Sequence, residues 1–174
     1  AGESIDMLRK AAETFITNCD LSQTSIGIKV FPQKEEWETP LMIDKMLLIL
    51  KTSALDAPGS NTPLDNCMLR VINEIPLTRA VIVSDGMPDD DPNENATNIY
   101  VEAKIPCDCI HIGGSYRGEE CLKHIAARTG GIYMKFDDIS KIVGAFKYLT
   151  PGYRGLLTES SEVAKQITGA KDVS

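Results

Sequence analysis

The stretch from Thr78 to Asp91, TRAVIVSDGMPDDD, constrains this chain more than any other. Ala80-Val81-Ile82-Val83 is a short apolar run rich in β-branched residues, the composition of a strand buried on both faces in a parallel sheet. The run breaks at Ser84-Asp85-Gly86, where Gly86 permits backbone conformations closed to most residues. Asp85 is thereby presented at the C-terminal end of a buried strand, the edge of an open α/β sheet at which ligands bind.

The flanking sequence alternates between helical and extended patterns. Met7, Leu8, Ala11, Ala12, Phe15 and Ile16 form one helical stripe, with Ser4 as its N-cap. Residues 25–31 read as a strand, joined by the polar turn 33–36 to a second strand at 37–43. A short helix is predicted over 44–50, a loop over 57–61 and a helix over 62–73 with Leu64, Met68, Leu69 and Ile72 on one side. Beyond the 80–83 strand follow a polar loop (87–95), a helix (96–104), a buried strand (107–112) and a helix (119–129) stopped by Gly130-Gly131. A last strand at 132–136 and a last helix at 139–149 complete the pattern. The alternation predicts an α/β domain over residues 1–149, with a C-terminal extension at 150–174. Its expected core is a doubly wound, mostly parallel central sheet with helices on both faces. The 37–43 strand is its antiparallel edge, because only a short turn links it to its predecessor.

Composition narrows the function. The 174 residues carry 18 Lys plus Arg against 25 Asp plus Glu, a net charge of −7. With no basic block, binding to a nucleic-acid backbone is not expected. No apolar run is long enough to span a bilayer, and no secretory signal is visible. The five cysteines, Cys19, Cys67, Cys107, Cys109 and Cys121, are odd in number and sit mostly inside apolar or helical patterns. Cys107 and Cys109 share a face of one strand, but their spacing is not that of a CxxC metal site. They read as reduced structural thiols of a cytoplasmic protein.

Four segments in order carry a resemblance. Gly59-Ser-Asn-Thr62-Pro-Leu, Val81-Ile-Val-Ser-Asp85-Gly, Ile110-His-Ile-Gly113 and Ile125-Ala-Ala-Arg-Thr-Gly130-Gly131-Ile-Tyr resemble the von Willebrand factor type A domain over residues 4–149. That resemblance implies a Rossmann-like sheet and a metal-ion-dependent adhesion site for Mg²⁺ at its top. Thr62 matches the family's second-loop hydroxyl and Asp85 its third-loop carboxylate. Mg²⁺ takes oxygen ligands in octahedral geometry and keeps some waters, so an acidic group of a protein partner can fill an open position. The family's first loop, Asp-x-Ser-x-Ser, does not occur in these residues. The family's first strand runs centrally, between the 25–31 and 80–83 strands. Without it those two would stand two strand spacings, roughly 10 Å, apart. Their unpaired backbone groups would cost ~1–3 kcal/mol each when buried. The expectation is that a further N-terminal strand belongs to the folding unit.

Plainer roles compete for the same residues. Asp85 can cap its own turn, and Thr62 can be the N-cap of the helix it opens. Asp89-Asp90-Asp91 lacks the ligand spacing of an EF-hand and reads as a solvated acidic loop. His111 reads as a core histidine, and His124 has no nucleophile in pattern; no Walker lysine follows Gly113-Gly114. The expected function is a non-enzymatic, Mg²⁺-dependent protein-interaction domain. A metal-free scaffold of the same fold is one alternative. A hydrolase or phosphotransferase using Asp85 is the other, and no nucleophile–base pair or phosphate loop supports it.

Overall fold

A computed structural model describes residues 2–22, 24–30, 39–55, 63–84, 88–93, 95–112 and 116–136. The chain opens with α1 (Gly2–Asn18), then β1 (Ile26–Ile28), β2 (Thr39–Met42), α2 (Lys45–Ser53) and α3 (Leu64–Glu74). There follow β3 (Ala80–Ser84), α4 (Ala96–Glu102), β4 (Cys107–Ile112), α5 (Tyr116–Thr129) and β5 (Tyr133–Phe136). The predicted helix at 139–149 and the extension at 150–174 lie outside the described residues.

The strands form two sheets. β3, β4 and β5 are parallel in the order β3-β4-β5, with Ala80 opposite Cys107 and Cys109 opposite Tyr133. β1 and β2 form a separate antiparallel ribbon, Ile26 opposite Met42 and Ile28 opposite Thr39, with an irregularity between. Among the described residues no backbone pairing joins β1 to β3. The mixed α/β architecture and the antiparallel β2 are as the sequence predicts. β1 is shorter than its predicted run: among the described residues, 25–31 pairs over three residues.

Period-two alternation sorts the sheet's side chains into two faces. On one, Ile82, Cys107, Cys109 and Tyr133 pack with Leu64 and Met68 of α3, Ala96 and Tyr100 of α4, and Leu122, Ile125 and Ala126 of α5. On the other, Ile110, Ile112 and Met134 are buried, and α1 packs against β4. The expectation that 80–83 is buried on both faces needs correction. All six residues of β4 are buried, whereas Ala80, Val81 and Val83 of β3 are only half-buried. β4 has a hydrogen-bonded strand on each side, while β3 has one on one side only among the described residues.

Helix ends depart from the sequence reading for local reasons. α1 begins at Gly2, so Ser4 lies inside its first turn and is not the N-cap. α5 begins at Tyr116, ahead of the predicted 119. α4 stops at Glu102, where Lys104 takes a left-handed backbone (φ 58°) that ends the helical path. Gly130 takes the same left-handed conformation after α5 (φ 75°). The next residue, Gly131, donates its N–H to Ala126 O at 2.9 Å. A Cβ at Gly131 would overlap the Cys107 carbonyl, so the second glycine of the pair is a packing requirement.

A buried carboxylate knits the sheet together. Asp108, the second residue of β4, has a fully buried side chain. Arg79 donates to it through Nε and Nη2 at 2.6 and 2.7 Å, and the Ile132 N–H donates at 2.8 Å. The bidentate geometry and the third donor supply the partners that a buried charge requires. Asp108→Ala should lower the unfolding free energy by about 3 kcal/mol, since the guanidinium and the amide lose their acceptor together. Urea denaturation followed by circular dichroism measures this, and a loss no larger than that of an exposed ion pair, below about 1 kcal/mol, would refute it.

Candidate functional site

In a parallel sheet every strand ends at the same edge. Ser84, Ile112 and Phe136 close β3, β4 and β5 there, and the loops leaving those strands lead to the starts of α4 and α5. In sequence Asp85, Gly86, Gly113 and Gly114 follow, and Thr62 lies two positions before Leu64, the first residue of α3. Thr62 and Asp85 both lie outside the described residues, as does the 57–61 loop. Among the described residues, no group of three or more His, Cys, Asp and Glu side chains is placed to hold a metal ion.

What is described is the framework around those two residues. The N-cap position of α3 is Pro63, not Thr62, and it offers no side-chain acceptor. The amides of the first turn are satisfied from elsewhere: Asp65 N–H donates to Asp90 Oδ1 at 2.9 Å and Asn66 N–H to Asp90 Oδ2 at 3.2 Å. The favour is returned at α4, whose N-cap residue Asn95 makes no side-chain cap bond. Asp65 Oδ1 accepts the Ala96 N–H at 2.9 Å, and its Oδ2 accepts Asn95 Nδ2 at 3.2 Å. Each helix thus receives its cap from a carboxylate belonging to the other's segment, and the negative charges lie at the positive ends of two helix dipoles.

This refines the solvated acidic loop, in which Asp89 and Asp91 are exposed and Asp90 is half-buried. Asp90 is committed to two amides, and Asp91 accepts the Asn93 N–H at 3.0 Å in a local turn. The loop is further tied to α5, where Arg128 Nη1 donates to Asn93 O at 3.2 Å. Asp65 carries the usual signature of an acid in a first helical turn. Its partner lies 31 residues away, so no local pattern reveals the pairing.

Across the same edge α5 presents an ion-pair network. Glu119 in its first turn accepts from Lys135 of β5 at 2.6 Å and from Lys123 at 2.9 Å. These two lysines pull the Glu119 carboxyl down from its ordinary 4.5 to about 2. Lys123 also lies over the Tyr133 ring, 5.6 Å from its centroid.

The remaining chemistry-bearing residues are structural. All five cysteines are free. Burial pushes the thiols of Cys19, Cys67 and Cys121 up to about 11, and that of Cys109 well up, so each is protonated at neutral pH and a poor nucleophile. His111 is buried in β4, as the sequence reading has it, and His124 is exposed on the predicted helix, α5.

No protein-family model matches the chain, and no curated protein matches it. Its fold does match solved structures. An aerotolerance-related membrane protein from Bacteroides fragilis, solved with multiple mutations to serines, is 14% identical over 82% of this chain and 85% of its own, with a TM-score of 0.67. The conserved hypothetical protein BatB from Bacteroides thetaiotaomicron is 12% identical over 97% of this chain and 88% of its own, with a TM-score of 0.69. At these identities the likeness is one of fold. No described helix of the present chain is long and apolar enough to cross a membrane.

Two outcomes follow for this edge. Asp90→Ala should cost about 1 kcal/mol and speed hydrogen exchange at the Asp65 and Asn66 amides, the two that lose their acceptor; unchanged exchange there would refute the reciprocal caps. The Glu119 network should have a defined pH window. Its carboxyl pKa is depressed, so its stabilisation is present above the ordinary 4.5 and is lost as pH falls towards 2. Wild type and Glu119→Gln, melted at steps from pH 7 to pH 2, should therefore converge at the acid end; a gap that widens there contradicts the assignment.

Proposed function

We propose that this chain is a non-enzymatic protein-interaction domain of the von Willebrand factor A type. Thr62 and Asp85 hold Mg²⁺ at the C-terminal edge of the sheet, and an acidic group of a protein partner completes the ion's shell. The observation that carries the reading is the double cap between α3 and α4. Asp65 follows Thr62 by three positions and Asp90 follows Asp85 by five. The hydrogen bonds of Asp90 tie the first turn of α3 to residue 90, which supports a reading in which the segments just before them lie near one another. A hydroxyl and a carboxylate are hard oxygen donors, the kind Mg²⁺ selects, and two of them leave most of an octahedral shell open. When bound, the ion would supply an electrophilic point for a carboxylate; the chain's own residues hold and orient it.

Other observations agree. Among the described residues the β1–β2 ribbon and the β3–β5 sheet are unjoined, which agrees with the order of strands that the resemblance implies. Neither structural neighbour carries an enzymatic name. Calorimetric titration of Mg²⁺ into the full-length protein should show weak binding that Asp85→Ala abolishes and Thr62→Ala reduces, with unchanged circular dichroism. Equal binding by wild type and Asp85→Ala would remove the adhesion-site reading and leave the metal-free scaffold; turnover lost on Asp85→Ala would instead favour the enzyme.

A further inference from the structure

Asn95 is a residue type favoured at helix N-caps, yet its side chain makes no cap bond to α4 and donates from Nδ2 to Asp65 Oδ2 at 3.2 Å instead. The cap of α4 comes from Asp65 Oδ1, and that of α3 from Asp90, whose two oxygens take the Asp65 and Asn66 amides. A local cap satisfies the same amides without tying two segments together; this arrangement ties them. The packing of α3 on α4 has other support further along. Leu64, Met68, Ala96 and Tyr100 share one core, and Tyr100 OH donates to Met68 O at 2.8 Å.

We propose that Asp65 and Asp90 are positioning residues, a latch whose closure sets the Mg²⁺ affinity of the edge assigned above to Thr62 and Asp85. The inference rests on that metal reading. Along the chain Thr62 and Asp85 are 23 positions apart; through the latch the path is three positions from Thr62 to Asp65 and five back from Asp90 to Asp85. An ion that bridges the two ligands closes a loop, and the entropy lost on closing a flexible loop grows with its length. A latch that is already closed removes part of that loss before the ion arrives, which is preorganisation. The gain is bounded, because the same loop has a second tether. Asn93 donates from Nδ2 to Cys121 Sγ at 3.7 Å and accepts from Arg128 Nη1 at its carbonyl at 3.2 Å. Loss of the latch therefore weakens the ion's binding without abolishing it.

Binding and latch closure are linked, so the effect runs in both directions. Mg²⁺ strengthens the latch by the factor by which the latch strengthens Mg²⁺ binding. The Ala96 amide is the distant reporter: it lies 11 positions beyond Asp85 and is bonded to a carboxylate in the first turn of α3. Charge alone predicts something different. A nearby carboxylate attracts a cation whether or not it is bonded to amides, and between exposed groups that attraction is screened by salt. The contribution of the latch is geometric and survives salt.

The test is calorimetric titration of Mg²⁺ into the full-length protein, in low and in high KCl. Asp90→Ala and Asp65→Ala should each weaken binding about fivefold or more in both, the lower end of typical coupling between sites. Asp89→Ala removes a charge from the same loop and leaves both oxygens of Asp90 in place, so it should weaken binding less, and only in low salt. Asp90→Ala combined with Pro63→Ser separates the latch from the cap. Serine at the N-cap gives α3 a local acceptor, so thermal stability and the exchange rates at Asp65 and Asn66 should recover while Mg²⁺ affinity stays low. In wild type, adding Mg²⁺ should slow hydrogen exchange at Asp65, Asn66 and Ala96, and in Asp85→Ala it should not. Affinity restored by Pro63→Ser, a loss in Asp90→Ala that high salt removes, or exchange at Ala96 that ignores Mg²⁺ would each overturn the latch and leave the metal reading standing. Absence of Mg²⁺ binding by wild type would overturn both.

Discussion

Backbone pairing at the outer edge of β3 is the constraint on which the rest of this structure turns. A buried amide or carbonyl without a partner costs as much as a hydrogen bond contributes, so a strand's place in a sheet sets how far its side chains can be buried. β4 is paired on both sides and buried along its whole length; β3, paired on one side among the described residues, is not. The same constraint separates the β1–β2 ribbon from the parallel sheet. α1 spans the two, packing on β4 and on α2, and α2 in turn touches β2. The helices therefore hold in one body what backbone pairing leaves in two.

The two edges of the parallel sheet carry their carboxylates differently. Asp108 is paired with Arg79 and the Ile132 amide, near the start of β4, and its charge is fully spent inside the fold. Arg79 is suited to this because its planar guanidinium meets both carboxylate oxygens at once, which lysine cannot do. At the opposite edge Asp65 and Asp90 cap helices whose own N-cap side chains make no cap bond. These bonds fasten loop to helix rather than strand to strand. They are the type of contact that positions a binding loop without filling the site itself.

Much of this was legible in the sequence. Every described element was anticipated, because the hydrophobic periods of α1, α3 and α5 and the β-branched runs of β3 and β4 are strong local signals. What escaped was non-local. The caps of α3 and α4 come from Asp90 and Asp65 across 25 and 31 positions, and a run of three aspartates looks the same whether solvated or committed. Asp108, flanked by two core cysteines, gave no sign of its own importance, since its meaning depends on Arg79 lying 29 positions away in sequence and beside it in space. The difference in burial between β3 and β4 was likewise beyond composition: both read as buried strands, and only their neighbours in the sheet distinguish them. For the site itself, the order of motifs points to Thr62 and Asp85, and the structure describes the framework beside them.

The committed state of the acidic loop bears on where a cation can go. A run such as Asp89-Asp90-Asp91 is the obvious attractor for a divalent ion by charge alone. Yet both oxygens of Asp90 accept backbone amides, and Asp91 accepts another. A cation drawn to Asp90 would have to displace bonds that cap α3, exchanging one stabilisation for another at a helix end whose dipole repels positive charge. Asp85 lies outside the described residues and follows directly in sequence on the end of β3. Within this loop the triple carboxylate therefore serves as the brace that ties the loop to α3, and the cap it forms disfavours it as a cation site.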